Sequence, residues 1–247
     1  MSSHVLVRSA SSSRRRVRSL SPIRSALTRQ WRFSIRSCAS SSSSRVLMLM
    51  RHAKSSWKHS EELDDIERPL KKRGRRDASR IGRALLDRGL LRDVCVFRSH
   101  ACRTEETWQR VRAAAAASSD NTNIAKEESV VESLYAASHN IGTAQAIIDA
   151  MHEDVQRAFS RDDESHQAVM ILGHNPGIES LVRLLVDDAS SKLVDMTMTT
   201  GNVAILVQNQ KVNAYTPSSW ATPRSYTLES ILRPRELAQT DGDGDAM

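Results

Sequence analysis

The stretch that decides the fold is Val46-Leu-Met-Leu-Met-Arg-His52, an apolar run that ends in a cation and an imidazole. Five consecutive apolar residues bounded by polar sequence predict a short strand that is buried on both faces. A second run, Val94–Phe97, leads towards Arg103 at the start of a predicted helix, and a third, Ala168–Leu172, leads to His174. Strands that alternate with helices predict an α/β fold: a three-layer sandwich with a mainly parallel central sheet and helices on both faces.

The residues that follow the three runs predict a binding pocket. The carboxyl ends of parallel strands share one edge of the sheet, and ligands bind at that edge. Arg51, His52, Arg103 and His174 are therefore expected to lie close together. Arginine forks match the oxygens of a phosphoryl group, and an imidazole is a competent nucleophile near neutral pH. The sequence thus predicts a phosphoryl pocket.

Composition divides the 247 residues into three parts. Residues 1–44 hold nine Arg and 16 Ser without any Lys, Asp or Glu, and apolar residues recur every four positions between Ile23 and Ile35. This pattern predicts an organelle targeting peptide, for a chloroplast or a mitochondrion; the alternative is a disordered basic tail that contacts RNA or anionic membrane. Residues 45–216 are predicted to form the folded domain. Residues 217–247 are predicted to be an irregular C-terminal extension with an acidic tail.

The last strands of the domain are predicted to form a closing hairpin. Val203–Val207 and Lys211–Tyr215 are both rich in strand-forming residues and are separated by a short polar segment. Such a pair of runs is typical of two antiparallel strands joined by a turn.

The basic excess of the chain is confined to its first part. The whole chain has 36 basic and 29 acidic residues, and without the nine arginines of residues 1–44 it has 27 against 29, or −2. This balance predicts no nucleic-acid partner for the folded part. No apolar run approaches the ~18–20 residues of a membrane span, so no membrane insertion is expected either. The sequence carries no signal for the oligomeric state.

Four motifs carry a resemblance to a known family. Leu49–Lys54 resembles the Arg-His signature of the histidine phosphatase (phosphoglycerate mutase-like) superfamily. Ser99–Thr107 resembles its second arginine motif, and Gly173–Ile178 its second histidine motif. Arg68-Pro-Leu, preceded by Trp57, is similar to the small SixA-like branch, which is best known for protein phosphohistidine phosphatases.

The resemblance implies a metal-independent phosphatase that needs no cofactor and acts through a phosphohistidine enzyme intermediate. In this reading His52 is the nucleophile, and Glu132 stands about where the family usually has its proton donor. The residues expected around the phosphoryl group are Arg51, Arg103, His174 and Arg68.

Two alternatives remain at this stage. The same chemistry could act on a small phosphorylated metabolite instead of a phosphorylated protein, as a phosphomonoesterase. A non-enzymatic binding module could also retain the fold. A cysteine phosphatase is excluded, because it needs Cys and Arg six positions apart, and the residues six after Cys38, Cys95 and Cys102 are Ser, Ala and Trp.

Overall fold

The computed structural model of the chain describes residues 45–58, 61–117, 127–160, 168–191, 195–209 and 219–241. The predicted targeting segment, residues 1–44, lies outside the described residues. The strands are β1 (Val46–Arg51), β2 (Cys95–Arg98), β3 (Glu127–Val130), β4 (Ala168–Gly173), β5 (Val203–Gln208) and β6 (Tyr226–Leu232). The longer helices are α1 (Lys72–Asp87), α2 (Cys102–Ala116), α3 (Ala144–Phe159), α4 (Gly177–Leu185) and α5 (Pro234–Asp241).

Short helical segments connect these elements. They are a 3-10 turn (Asp65–Glu67), an α-helical turn (Ser133–Tyr135), a π-helix (Ala136–Ile141) and a four-residue helix (Asp188–Ser191).

The six strands form one mixed sheet in the order β3-β2-β4-β1-β5-β6. Strands β3, β2, β4 and β1 pair in parallel, whereas β5 pairs antiparallel with both β1 and β6. The expected mainly parallel sheet is thereby confirmed. Strand β1 is paired on both sides, and this central position accounts for its uninterrupted apolar sequence.

Both faces of the sheet are covered by helices. Leu47 and Leu49 point to one side, where they join a core that includes residues of α3 and α4. Met48 and Met50 point to the other side and join a core built with α1 and α2. All four side chains are fully buried. Because side chains alternate along β1, the strand contributes to two separate cores. The three-layer α/β sandwich is confirmed.

The prediction of an irregular extension after residue 217 is wrong for most of the described part. Strand β6 extends the sheet beyond β5, and α5 packs against α1. In β6 the buried Tyr226 and Leu228 alternate with the exposed Thr227 and Glu229, which is the period-two pattern of a half-buried strand. The pairing partner of β5 is thus β6, and the predicted partner Lys211–Tyr215 lies outside the described residues.

Helices α1 and α2 approach each other closely at Gly82. A Cβ atom at this position would lie 2.3 Å from the backbone oxygen of Val111, so no larger residue fits without moving a helix. Because α1 and α2 pack this closely, the polar residues that flank the contact on one helix lie near those that flank it on the other.

Candidate active site

The two histidines lie side by side at the carboxyl ends of two neighbouring strands. Strands β1 and β4 pair in register, with Arg51 opposite Gly173, so the next residues, His52 and His174, emerge together. Their ring centroids are 5.1 Å apart. The backbone N–H of His52 also donates to the oxygen of Gly173 at 3.0 Å, which fixes the two chain segments beyond the strand ends.

Arg103 reaches the same edge from the first turn of α2. Its side chain is almost fully buried, at 1% exposure. Its Nη2 donates to the Asp65 carboxylate at 2.9 Å, and its Nη1 donates to the backbone oxygen of Asp65 at 2.5 Å. Its Nε is buried and has no hydrogen-bond partner among the described residues.

Arg51 is the last residue of β1 and directly precedes His52 in the chain. Its Nη1 donates to the backbone oxygen of Met198 at 2.9 Å, and its Nε is buried without a partner among the described residues. Burial lowers the pKa of Arg51, and the nearby charge of Arg103 lowers it further, while Glu179 raises it. The site therefore holds two guanidinium groups, each with a buried donor that the described protein leaves unsatisfied.

Arg68 also points into this region, as expected. It is buried, and its Nε and Nη2 donate to Asp65 Oδ1 at 2.8 and 2.7 Å. Its Nη1 contacts Ser55 Oγ at 3.3 Å, and its guanidinium lies 3.8 Å from the centre of the Trp57 ring. The charge of Arg68 lowers the pKa of His52, which shows that it contributes to the field around that ring.

Asp65 links Arg68 and Arg103, and it was not among the site residues predicted from the sequence. Besides Arg68 and Arg103, its Oδ2 accepts a 2.6 Å hydrogen bond from the Tyr135 hydroxyl and lies 3.8 Å from His139 Nε2. Burial alone would raise the pKa of Asp65, but the Tyr135 hydrogen bond and the two arginines lower it to about 2. The carboxylate is thus ionised at neutral pH.

An aromatic wall closes one side of the site, and sequence reasoning missed it. Tyr135 and His139 stack with centroids 5.1 Å apart, and both meet the edge of His174 at 5.1 and 5.5 Å. The ring of His100 lies 5.6 Å from that of Tyr135. Tyr135 and His139 are four positions apart and so share one helical face, which is the sequence signal that could have found them.

Comparisons with known proteins identify the family of the chain. A profile of the histidine phosphatase superfamily (branch 1) matches residues 47–164. An uncharacterized chloroplastic protein of Arabidopsis thaliana is 31% identical over 197 residues, which cover 79% of this chain and 80% of that protein. The chain belongs to the histidine phosphatase superfamily. It is accordingly a phosphatase.

The fold of this histidine phosphatase is SixA-like. The structure of a protein described as phosphohistidine phosphatase SixA from Nakamurella multipartitia is similar with a TM-score of 0.52 and 24% identity, covering 78% of this chain and 98% of that chain. The structure of the protein histidine phosphatase SixA complexed with tungstate is similar with a TM-score of 0.54 and 16% identity, covering 78% and 99%. At these identities the comparison shows the shared fold.

The position of the proton on His52 follows from its hydrogen bond. Nδ1 lies 2.7 Å from the backbone oxygen of Ala53. A carbonyl oxygen can only accept, so Nδ1 carries the proton, and in the neutral ring Nε2 keeps its lone pair. Burial, together with the charges of Arg103, Arg51 and Arg68, lowers the pKa of His52 to about 3 although the Ala53 carbonyl opposes the shift. The ring is therefore neutral throughout the physiological range.

His174 is held by a serine from the second arginine motif. Its Nε2 lies 2.9 Å from Ser99 Oγ, and this hydroxyl also accepts the backbone N–H of Ala101 at 3.2 Å. His174 Nδ1 is buried and has no partner among the described residues. Burial and the neighbouring His52 and Arg103 hold the pKa of His174 far below its ordinary value. Ser99, too, was not singled out from the sequence.

Glu132, the predicted proton donor, is exposed in the turn that precedes Tyr135. No hydrogen bond links its carboxylate to any pocket residue in the described part of the chain, so its role stays a prediction. The described residues contain no group of three or more His, Cys, Asp or Glu side chains that could hold a metal ion. Among the same residues, no helix has both the length and the apolar character needed to cross a membrane.

The two neutral histidines predict a loss of stability in mild acid. As pH falls from about 6.5 towards 3, the unfolded chain takes up protons that folded His52 and His174 do not, so the free energy of unfolding decreases. Each ring contributes a slope of up to about 1.4 kcal/mol per pH unit. Asp65 adds to the loss only below about pH 4, because its folded pKa lies under its unfolded value.

Urea unfolding at pH 7, 6, 5 and 4 measures this slope. In the His52→Asn variant, the slope of the unfolding free energy with pH should be smaller by the contribution of about one proton. Replacement of the exposed His152 by Asn serves as the control and should leave the slope unchanged. An unfolding free energy that is flat between pH 6.5 and 4 would contradict the assignment of neutral, buried rings.

Proposed function

We propose that this phosphatase hydrolyses phosphohistidine on a protein through a covalent intermediate on His52. The observation that carries the proposal is the 2.7 Å contact of His52 Nδ1 with the Ala53 oxygen, which leaves Nε2 as the nucleophilic atom. Arg51 and Arg103 supply the positive charge that a phosphoryl group in transfer requires on its equatorial oxygens.

In the first step, His52 Nε2 attacks phosphorus and the phosphorus–nitrogen bond of the substrate breaks. When the substrate ring carries a proton on its other nitrogen, it departs as a neutral imidazole and needs no external acid. His52 becomes a phosphorylated imidazolium, because its Nδ1 keeps the proton that it donates to the Ala53 oxygen. In the second step, water attacks phosphorus, the bond to Nε2 breaks, and His52 returns to its neutral form as inorganic phosphate is released.

The acid chemistry of the pocket supports phosphohistidine over a phosphomonoester. An alkoxide leaving group needs a proton in the transition state, and a general acid must be protonated at working pH to supply it. Asp65, the carboxyl group closest to the arginines, has a pKa of about 2 and cannot serve. Phosphomonoesterase activity on a small metabolite remains the alternative, and in that case Glu132 is our proposed donor.

A turnover panel without added metal tests this function. We expect the full chain to release phosphate from a phosphohistidine protein faster than from sugar phosphates or nucleotides, and to do so fully after chelation. The His52→Ala variant should lose turnover, because no neighbouring group can form the same intermediate, whereas His152→Ala should keep it. Rapid denaturation should trap an acid-labile, base-stable label on His52. A label on Cys102, or near-normal turnover by His52→Ala, would overturn the mechanism; faster turnover of sugar phosphates would favour the alternative substrate.

Ser99 is proposed to fix the proton of His174. Because the Ser99 hydroxyl already accepts from Ala101, its own hydrogen can be donated to His174 Nε2, which leaves the proton of the neutral ring on Nδ1. The unpartnered Nδ1–H is then a donor for a phosphoryl oxygen. Ser99 acts here as a positioning residue.

The Ser99→Ala variant should lower kcat roughly tenfold to a hundredfold with little change in KM, as expected when the partner that orients a working histidine is lost. Ser99→Thr should restore part of the rate, and the exposed Ser160→Ala is the matched control. Nitrogen-15 NMR of His174 should show a shift from the Nδ1–H towards the Nε2–H tautomer in Ser99→Ala. An unchanged tautomer would refute the positioning role whatever happens to the rate.

We further propose that residues 1–44 direct the protein into an organelle, and that this organelle is the chloroplast. The basic, serine-rich composition of this segment supports import, and the Arabidopsis relative is a chloroplastic protein. After incubation with isolated chloroplasts, the full chain should appear as a shorter, protease-protected product, and with isolated mitochondria it should not. Serine in place of the nine arginines is expected to abolish protection. Protection in mitochondria alone, or in neither organelle, would be evidence against the proposal.

A further inference from the structure

A second cluster of arginines lies outside the catalytic pocket, in a groove between α1 and α2. The groove has a volume of about 290 Å³, and its lining consists of Arg75, Arg76, Ser79, Arg80, Arg83 and Arg110. The close approach of the two helices at Gly82 brings Arg110 of α2 to the side of α1 that carries the other four arginines.

The spacing of these residues concentrates like charges. Arg76, Arg80 and Arg83 are separated by four and three positions, so they are neighbours on one helical face. Like-charged pairs at this spacing destabilise a helix. The first turn of α1 has no acidic residue either, and Lys71, Lys72 and Arg73 oppose the helix dipole there. Within α1, Asp77 offsets part of this repulsion through ion pairs with Arg73 and Arg80.

Carboxylates neutralise only part of the groove. Arg75 pairs with Glu106 at 3.4 Å, and Arg80 pairs with Asp77 at 3.5 Å. The other three lining arginines are exposed, and they form no hydrogen bond or ion pair with any described residue. These are Arg76, Arg83 and Arg110.

The lining also limits the chemistry of a ligand. It contains no apolar or aromatic side chain, so it offers neither a surface for an apolar molecule nor a platform on which nucleic-acid bases could stack. Guanidinium forks favour phosphate oxygens, which they can contact through two parallel N–H groups. The volume of about 290 Å³ is just below the range of about 300–1,000 Å³ that is typical of small-molecule sites.

We propose that this groove is a binding site for a small polyanion that carries two or more phosphate groups. The site is separate from the catalytic pocket. Arg103 of the pocket and Arg110 of the groove are seven positions apart on α2, a rise of about 10 Å. Between them lies Glu106, which accepts the backbone N–H of Leu70 at 3.2 Å and faces Arg75. Binding in the groove does not depend on the proposed phosphohistidine activity.

Calorimetric titration of the full chain with tripolyphosphate, at about 0.15 M salt, tests the proposal. The groove variant combines Arg76→Ser, Arg83→Ser and Arg110→Ser. The control variant combines Arg92→Ser, Arg157→Ser and Arg235→Ser, which are exposed arginines outside the groove and give the same change in net charge. The arginines of residues 1–44 are present in every protein and contribute equally.

We expect at least a tenfold weaker binding in the groove variant, and a change of less than twofold in the control variant and in Arg51→Ala. Circular dichroism would verify that each variant is folded. Equal weakening in the two triple variants would reduce the effect to net charge, and a loss in Arg51→Ala would place the ligand in the catalytic pocket; either result overturns the proposal. It would also be overturned if tripolyphosphate failed to bind, or if a glutamate-rich peptide or a DNA oligonucleotide bound more tightly through the same arginines.

Discussion

The parallel pairing of β1 with β4 is the constraint on which the pocket depends. With Arg51 opposite Gly173, the two histidines leave the sheet at the same level and their rings meet. Side chains alternate between the faces of a strand, so a slip of one residue would exchange the buried sets of β1 and separate the rings. The two apolar cores, one on each face of the sheet, hold this register, and catalytic geometry is therefore a direct product of core packing.

A single ionised carboxylate organises the charges next to these rings. Asp65 contacts both Arg103 and Arg68 and accepts the Tyr135 hydroxyl, so it orients cations that would otherwise repel each other in a buried setting. Burial is the main reason why both histidines stay unprotonated, and the charge of Arg103 adds to it, because each positive charge makes a further one more costly. The network around Asp65 thus balances charge and helps to keep the nucleophilic ring neutral. An incoming phosphoryl group would contact an Arg103 side chain that is already paired with Asp65.

The features that could be predicted are those that leave a regular pattern of apolar and polar residues in the sequence. The apolar runs predicted the buried strands, and the strand ends predicted which histidines and arginines meet. Asp65, Tyr135 and His139 were missed because they lie in a 3-10 turn, an α-helical turn and a π-helix, which are too short to leave a repeated hydrophobic pattern in the sequence. Strand β6 was missed because its alternating pattern follows a proline and a polar stretch that resemble an irregular tail. Contacts distant in sequence, such as Arg103 with Asp65, have no local signature at all.

The indole of Trp57 gives the pocket an optical property of its own. It is 60% exposed and lies over the Arg68 guanidinium, whereas Trp108 and Trp220 are buried in the two cores. Among the described tryptophans, it alone combines contact with water and contact with a charge of the pocket. We therefore expect its emission to respond to changes in charge near Arg68, which would make Trp57 a native fluorophore for following ligand binding and release without a label.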